Sequence, residues 1–269
     1  MITIQRIGFL QVYNEIDWIN YAIEHALKLC DKLIIIEGSQ FSSFKNIPER
    51  SNDGTLEIIH KWFDEYPKEI ELINTIRKNP NYRENQASNF NLVLKKCEKG
   101  DYLIPLDADE FYFKYIKKII EITEEGKIDY LISTGPNFAF SFNWRLILSS
   151  ADLKYKQTLF KKNNKLKFVK THKPVKHGPN KVVDESGDCL VHYKWVRPYE
   201  RMFIRHLTSG FYDNMVDWFD KNWNKIDLKE NKKYNYYGGY FYLEKYDGPH
   251  PKILDSHPWR LIEDIRKKD

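Results

Sequence analysis

The segment IPLDADEF carries two aspartates, Asp107 and Asp109, directly after an apolar run. Alternate residues of a strand project to the same side, so this spacing predicts two neighbouring carboxylates with a small alanine between them. Mg²⁺ and Mn²⁺ take one or two protein carboxylates together with phosphate oxygens of a substrate. The pair therefore predicts a site where Mn²⁺ or Mg²⁺ joins a diphosphate to the protein. An acidic strand end that only caps the following helix is the alternative interpretation.

Polar residues also follow two earlier apolar runs. Tyr13, Asn14 and Glu15 follow the first run, and Glu37 and Ser39 follow the second. In an open α/β sheet, ligands bind outside the carboxyl ends of the strands, where loops leave the sheet. The sequence therefore predicts that these side chains and the acidic pair share one ligand-binding edge.

A further polar cluster lies in NYRENQASNFN. Arg83 and Gln86 are its candidate ligand-binding residues, because a helix start with an arginine nearby suits anionic oxygens. Ordinary capping of the helix by Asn81 or Asn85 is the alternative, and the residue types leave both open.

The elements that must position these groups follow from two alternating hydrophobic periods. Three amphipathic helical stretches, within residues 17–30, 56–63 and 87–97, separate runs that are rich in β-branched residues. The predicted strands are Arg6–Tyr13, Lys32–Glu37, Glu69–Thr75, Asp101–Ala108 and Lys127–Thr134. Such alternation predicts a Rossmann-like, mainly parallel α/β sheet with helices on both faces.

The second half of the chain is less regular. TLFKKNNKLKFVK predicts a hairpin that turns at Asn163 and Asn164. Residues 195–269 are rich in aromatic side chains, which either stack on sugars or form the core of a helical run from Pro198 to Lys225; the core is favoured. We predict a catalytic domain over residues 1–194 and a helical extension over 195–269 packed on it.

Composition excludes several classes of protein. The 269 residues are 42% hydrophobic and 30% charged, which excludes a disordered chain, and a net charge of +5 is too small to indicate nucleic acid. The cysteines, Cys30, Cys97 and Cys189, form no C-x-x-C pair and predict no disulfide framework or zinc site.

No apolar run approaches the roughly 20 residues that span a bilayer, and the first residues do not read as a secretory signal. We expect a cytoplasmic protein, with peripheral contact to a membrane left open.

Four motifs, VYNE, IIIEGSQ followed by SNDGT, RENQASNFN and LIPLDADEF, together resemble the nucleotide-sugar glycosyltransferases of the GT-A fold, specifically family 2-like enzymes. The resemblance implies that Asn14 and Glu15 border a nucleotide pocket and that Glu37 contacts the base or ribose. It also implies that Asp107 and Asp109 engage the ribose and a metal-bound diphosphate.

The activity implied is metal-dependent transfer of a monosaccharide from a nucleotide-diphosphate sugar, with a UDP-sugar as the expected donor, to a hydroxyl on a glycan or glycoconjugate. An inverting enzyme needs a carboxylate that takes the proton of the acceptor hydroxyl, and Asp184 and Glu185 are the nearest candidates by order along the chain. His192 is either a metal ligand or diphosphate contact, or a core residue.

The chain departs from the family pattern in two places. Residues 40–52 are inserted after strand two, so the resemblance does not identify the base of the nucleotide. Where relatives often have a His-Glu pair, this chain has His172 followed by Lys173.

Two other functions remain as alternatives. A sugar-phosphate nucleotidyltransferase would carry a glycine-rich phosphate loop after strand one, and residues 11–15 contain no glycine. A non-enzymatic module that binds glycan or single-stranded nucleic acid would interleave lysines and aromatics in one stripe, and the sequence shows no such stripe.

Overall fold

The computed structural model describes residues 4–40, 47–75, 78–113, 116–148, 155–170, 173–175, 178–184, 189–207, 212–236 and 239–267. His172 and Glu185 lie outside the described residues. In chain order, the helices and strands are β1 (Arg6–Val12), α1 (Ile19–Leu29), β2 (Lys32–Glu37), α2 (Thr55–Glu65), β3 (Ile70–Asn74), α3 (Tyr82–Leu94), β4 (Tyr102–Leu106), β5 (Glu110–Tyr112), α4 (Ile116–Glu125), β6 (Tyr130–Thr134), β7 (Asn137–Ala139), β8 (Trp144–Leu148), β9 (Tyr155–Lys161), β10 (Lys167–Lys170), β11 (Lys173–Val175), β12 (Lys181–Val183), β13 (Leu190–Trp195), α5 (Tyr199–Leu207), α6 (Tyr212–Asn222), β14 (Lys233–Tyr236) and β15 (Gly239–Lys245).

The chain forms two compact units whose segments interleave along the sequence. The first unit comprises Met1–Asp109, Lys114–Ser133 and Gln157–Glu185. The second unit comprises Glu110–Phe113, Thr134–Lys156 and Ser186–Asp269. The chain therefore passes from one unit to the other directly after the acidic pair. The predicted boundary between residues 194 and 195 stays a prediction.

The first unit is built on a sheet of order β12-β6-β9-β4-β1-β2-β3. β1 pairs in parallel with β2 and with β4, and β2 pairs in parallel with β3. The predicted α/β fold with a mainly parallel sheet is thereby confirmed. The chain adds β2 and β3 on one side of β1 and then returns to place β4 on the other, so the strand order reverses between β1 and β4.

Successive residues of a strand point to opposite sides of the sheet, so the buried strands present apolar side chains on both faces. Helices pack against both of these faces. On one face, Ile7 and Phe9 of β1 pack with α3, where the rings of Phe9 and Phe90 lie 4.7 Å apart, edge to face. On the other face, Gly8 leaves room for the end of α1: a Cβ at this position would lie 2.7 Å from the Cys30 sulfur. A side chain at position 8 would therefore push α1 away from the sheet.

The predicted hairpin around Asn163 and Asn164 is wrong in its pairing. Asn163 does form a turn, in which its side-chain oxygen accepts the N–H of Leu166 at 2.7 Å. However, β9 pairs antiparallel with β4, and β10 pairs with β11. Phe160, Leu166 and Phe168 all enter the apolar cluster against α3. Burial of these side chains therefore folds the chain over the sheet face instead of returning it along β9.

The second unit contains a sheet of order β14-β15-β8-β7-β13-β5 and a core of aromatic rings. Trp195 lies 5.4 Å from Phe241 and 5.9 Å from Trp223, and Trp223 stacks on Phe219 of α6 at 4.2 Å. Trp195, Phe219, Trp223 and Phe241 are buried, which confirms the interpretation of these aromatics as core residues.

The C-terminal region is helical only in part. Helices α5 and α6 lie within the predicted run from Pro198 to Lys225, and a 3₁₀ turn over Trp223–Lys225 follows α6. β14 and β15 then add two antiparallel strands that the sequence analysis does not predict, and β15 pairs with β8. Among the described residues, no helix combines the length and apolar character needed to cross a bilayer.

Candidate functional site

The carboxyl ends of four adjacent parallel strands carry polar residues in the first unit. Asn14 follows β1, Glu37 ends β2, Asn74 ends β3 and Asp107 follows β4. The register places Val12, Glu37 and Asn74 at one level across the sheet. The reversal of strand order between β1 and β4 makes this edge the expected ligand site of an open α/β sheet.

Glu37 is fully buried, and both of its carboxylate oxygens accept hydrogen bonds from one segment. Oε1 accepts the backbone N–H of Ser51 at 2.7 Å, and Oε2 accepts Nε of Arg50. Arg50 also donates from Nη1 to Oδ1 of Asn74. Its side chain is 37% exposed, so one edge of a positively charged group faces solvent above β2 and β3. The predicted contact of Glu37 with base or ribose stays a prediction, and in this structure Arg50 stands between that carboxylate and solvent.

The SNDGT motif ties the end of β1 to the start of α2. The backbone N–H of Asn14 donates to Oγ of Ser51 at 2.8 Å, and its side-chain oxygen accepts the N–H of Asn52 at 3.1 Å. The N–H of Glu15 donates to Oγ1 of Thr55 at 2.7 Å. Asn14 has φ of 52°, a left-handed conformation that asparagine tolerates better than most residues. These bonds give the loop after β1 one defined conformation, with Tyr13 half-buried beside it.

The turn after β2 requires glycine. Gly38 has φ of +124°, and a Cβ there would lie 2.7 Å from the carbonyl oxygen of Glu49. The next residue, Ser39, is 1% exposed, and its N–H donates to that same oxygen at 2.9 Å. Ser39 therefore lies beneath the 49–51 segment, and its predicted role in nucleotide-sugar binding stays a prediction.

Asp107 and Asp109 do not share a strand. The predicted strand ran to Ala108, but β4 ends at Leu106, and Ala108 and Asp109 form a turn before β5. The expectation that strand alternation alone points both carboxylates to one side is therefore wrong, because the residues are no longer extended. Asp107 is exposed, whereas Asp109 is 1% exposed.

The carboxylates of Asp107 and Asp109 are too few to bind a divalent ion without ligands from a substrate. Among the described residues, no group of three or more His, Cys, Asp or Glu side chains is arranged to hold a metal ion. Asp107 after β4 and Asp109 in the turn that follows supply two carboxylates, which match the one or two protein ligands that Mg²⁺ or Mn²⁺ keeps when substrate phosphates supply the others. Asp107 and Asp109 therefore fit an ion that arrives with a diphosphate and do not form a preassembled protein cage.

The helix start at α3 is capped by the protein itself. The side-chain oxygen of Asn81 accepts the N–H of Arg83 at 2.9 Å, as in the capping interpretation. The buried Asn85 amide donates to the carbonyls of Gln40 and Asn79 at 2.9 and 2.8 Å. Arg83 is exposed and Gln86 is half-buried. Their predicted binding of anionic oxygens stays a prediction.

Asp184 lies at the far edge of the same sheet. It follows β12, is 6% exposed, and donates its N–H to the carbonyl of Ile132 at 2.8 Å. Strand order places β12 three positions from β4, about 14 Å at the usual strand spacing. Asp184 is thus not a neighbour of the acidic pair within the sheet. Glu185 falls outside the described residues.

In the second unit, His192 of β13 is part of a charged cluster. Its Nδ1 lies 3.4 Å from Oε1 of Glu110, directly across the antiparallel pair of β13 and β5. Lys156 forms an ion pair with the other carboxylate oxygen of Glu110, which is 3% exposed. A carboxylate that contacts one imidazole nitrogen orients the ring. The predicted role of His192 as a metal ligand or diphosphate contact stays a prediction.

Arg50, Glu110 and Lys156 are the residues of these clusters that sequence reasoning missed. Glu110 belongs to the DADEF motif itself, so its acidic type was a usable signal. Arg50 and Lys156 lay in an insertion and in a lysine-rich stretch, where residue type alone does not distinguish a paired side chain from a solvated one.

A comparison of the sequence with known protein families gave a match. The family model described as glycosyl transferase family 2 matches residues 47–188, just over half of the chain. The comparison with curated proteins gave no match.

Solved structures match the fold only distantly. The chain is similar to the 4-diphosphocytidyl-2C-methyl-D-erythritol synthase of Anaerococcus prevotii DSM 20548, with 11% identity, a TM-score of 0.36, and coverage of 59% of this chain and 70% of that one. It is also similar to the mannose-6-phosphate isomerase of Helicobacter pylori, with 13% identity, a TM-score of 0.33, and coverage of 60% and 62%. Sequence identities and TM-scores this low support no conclusion about activity.

Proposed function

The chain belongs to glycosyl transferase family 2, and from this membership we propose that it transfers a monosaccharide from a nucleotide-diphosphate sugar to a hydroxyl group of a glycan or glycoconjugate. The observation that carries the proposal is the position of Asn14 and Asp107. They follow β1 and β4, the two parallel strands between which the strand order reverses. An open α/β sheet binds its ligand at this position.

The donor would lie across the strand ends of the first unit. We assign the nucleoside to the loop of Tyr13, Asn14 and Glu15, and to the exposed edge of Arg50. A guanidinium already held by Glu37 loses little further conformational freedom when it donates hydrogen bonds to a base or phosphate. We place a UDP-sugar first among donors, and the diphosphate beside Asp107.

Asp107 and Asp109 would hold the divalent ion, Mn²⁺ or Mg²⁺, against the diphosphate. When bound, this ion supplies positive charge near the leaving diphosphate. The protein itself must orient the donor so that the bond between the anomeric carbon and the diphosphate oxygen breaks while the acceptor oxygen attacks. The hydrogen-bonded loop after β1 and the 49–51 segment serve that orientation, since a site held in one conformation does not have to be ordered again at each turnover.

The acceptor hydroxyl must give up its proton, and a carboxylate is the expected base. Asp184 and Glu185 are our candidates from the sequence.

The test begins with the donor. We expect one nucleoside diphosphate to raise the unfolding temperature of the full chain in Mn²⁺, because a ligand that binds only the folded state stabilises it. The corresponding sugar nucleotide should then be consumed with release of the nucleoside diphosphate. Release of pyrophosphate from a nucleoside triphosphate plus a sugar phosphate would instead identify a nucleotidyltransferase. Absence of stabilisation by every nucleoside diphosphate would overturn the proposal.

A further inference from the structure

The second unit contains a cavity of about 820 Å³ that no part of the proposed donor site uses. Its walls come from four places in the chain: the start of β8, the end of β15, residues 224–228 and residues 262–267. A volume of this size is in the range of sites that hold small molecules.

Arg266 holds two of these walls together. Its Nη1 donates to the carbonyl oxygens of Trp223 and Ile226 at 2.8 and 2.7 Å, and its Nε and Nη2 donate to the two oxygens of Asp264, both at 2.8 Å. Its guanidinium also lies 4.5 Å from the centre of the Phe140 ring. The side chain is only 8% exposed, so the C-terminal wall is fixed before any ligand arrives.

The β8 wall is fixed in the same way. The backbone carbonyl of Asn143 accepts the N–H of Tyr246 at 2.8 Å, and the backbone N–H of Asn143 donates to Oγ of Ser141 at 3.0 Å. Backbone bonds therefore hold Asn143 in place and leave its side-chain amide for a ligand.

The charges around the cavity balance. The acidic lining residues are Asp227, Glu263 and Asp264, and the basic ones are Lys245, Arg266 and Lys267. Asp264 and Arg266 neutralise each other, and the lining as a whole carries as many acidic as basic side chains. A site for phosphate or another anion would carry an excess of positive charge, so the balance favours a neutral ligand.

Polar side chains with spare hydrogen-bonding capacity line the space. Within the part of the chain that the structure describes, the side chains of Asn143, Asn224 and Glu263 make no hydrogen bond. Two amides and a carboxylate together offer donors and acceptors of the kind that sugar hydroxyls match. Trp144 adds an aromatic surface, whose electron-rich face attracts the C–H groups of a sugar ring.

We propose that this cavity binds an uncharged oligosaccharide, with Asn143, Asn224 and Glu263 contacting its hydroxyls and Trp144 packing against a ring. It is a saccharide site distinct from the residues assigned to the nucleotide. Its assignment to the acceptor glycan rests on the proposed function, but the binding itself does not.

The experiment is titration of the full chain with neutral trisaccharides of glucose, mannose and N-acetylglucosamine, followed by calorimetry or ligand-observed NMR. We expect at least one to bind, and Asn224→Ala and Glu263→Gln each to weaken that binding about tenfold, which corresponds to about 1.4 kcal/mol. Trp144→Phe should retain more affinity than Trp144→Leu, because it keeps an aromatic face.

Matched controls lie elsewhere in the second unit. Asn235→Ala and Glu200→Gln change exposed residues of the same types outside the cavity, on β14 and α5, and should bind as the wild type does. Three results would overturn the inference: no trisaccharide binds at millimolar concentration, the cavity variants bind as tightly as the controls, or an anionic oligosaccharide binds more tightly with strong salt dependence.

Nucleoside diphosphate titrations of the wild type separate the two proposals. Trisaccharide binding without any nucleotide binding contradicts the proposed function alone. Nucleotide binding without trisaccharide binding contradicts this inference alone.

Discussion

In the first unit, the residues assigned to donor binding stand on loops that directly follow parallel strands, whereas in the second unit the cavity residues come from segments far apart in the chain. Asn14 and Asp107 follow β1 and β4, and Glu37 is the last residue of β2. Asn143 and Glu263, in contrast, share a cavity although 120 residues separate them. The first kind of site is visible in local sequence patterns, and the second is not.

The two units also stabilise their polar groups differently. Glu37 is buried with two bonds from a segment only 13 and 14 residues away, and these bonds hold the loop at the edge of the sheet. In the second unit, Arg266 reaches back more than 40 residues to the carbonyl of Trp223, over a core of stacked aromatic rings. Changes in the first unit should therefore act on donor chemistry, and changes in the second on packing and on the cavity.

The largest effect should come from the acidic pair. Asp107→Asn or Asp109→Asn should lower kcat for transfer by about 10²- to 10³-fold, the usual loss when one charge-stabilising group is removed. The measurement is donor consumption under saturating Mn²⁺, with the unfolding temperature as a check of folding.

Asp31→Asn is the matched control for the acidic pair. It removes a carboxylate from the start of β2, where it pairs with Arg6 at 2.6 Å, at the amino edge of the same sheet. Equal losses in Asp31→Asn and Asp109→Asn would show that the carboxyl edge has no special role.

The next effect concerns Glu37. Glu37→Ala removes the acceptor of both the Arg50 side chain and the Ser51 N–H, so the free energy of unfolding should fall by about 1.5 to 3 kcal/mol, the range for hydrogen bonds to a charged group. Urea unfolding measures the loss, and hydrogen exchange at Ser51 should accelerate. Unchanged exchange at Ser51 would contradict the role given to this carboxylate.

Acid should weaken the second unit before the first. Burial, aided by nearby cations, lowers the pKa of His206 to about 3 and of His250 to about 4 in the second unit, and burial lowers the pKa of His25 to about 3 in the first. Histidine titrates near pH 6.5 when unfolded, so the unfolded state binds more protons below that pH. The stability that depends on neutral histidine is complete above pH 6.5 and is lost as the pH falls from there to about 4 for His250 and to about 3 for His206 and His25.

Each such histidine contributes a slope of up to about 1.4 kcal/mol per pH unit in this window. Among the described residues, the second unit holds two of them and the first holds one, so hydrogen exchange of β13 should rise more steeply with acid than that of β1. His60→Gln, an exposed change on α2, should leave both slopes unaltered. Equal slopes for β1 and β13 would contradict the difference.

The smallest effect belongs to an exposed ion pair on the sheet of the second unit. Arg145 and Glu244 pair across β8 and β15 with side chains 35% and 45% exposed. Glu244→Gln should cost about 0.5 kcal/mol, and salt should reduce that cost further. A loss above about 2 kcal/mol in urea unfolding would show that exposed pairs stabilise this unit as strongly as Glu37 stabilises the first.

Most of the first unit could be predicted from sequence. The hydrophobic periods placed β1, β2, β3 and β4 to within two residues. In β2 and β4, burial on both faces gives the strand a continuous apolar run. The error at Asp109 came from extending that period by two residues into a turn. Residue type located the acidic pair, but it could not show that one aspartate is exposed and the other buried.

The second unit was predicted less completely. Its strands are short, and β15 pairs with β8 so that Phe241 lies opposite Leu148, more than 90 residues earlier. No local pattern identifies such a partner, which explains why β14 and β15 were not predicted. The same limit hid Lys156, whose ion pair with Glu110 depends on a strand pairing and not on neighbouring residues.

By itself, the sequence determined the alternation of strands and helices, the polar residues at the strand ends and the family to which the chain belongs. These features depend on apolar periodicity and turn chemistry within about fifteen residues, where chain connectivity restricts the alternatives. Only the tertiary structure decided that Arg50 covers Glu37, that Glu110 contacts Lys156 and His192, and that Asn143 and Glu263 line one cavity. Those contacts arise when distant segments pack together, and their free energies depend on burial and geometry that no short stretch of sequence contains.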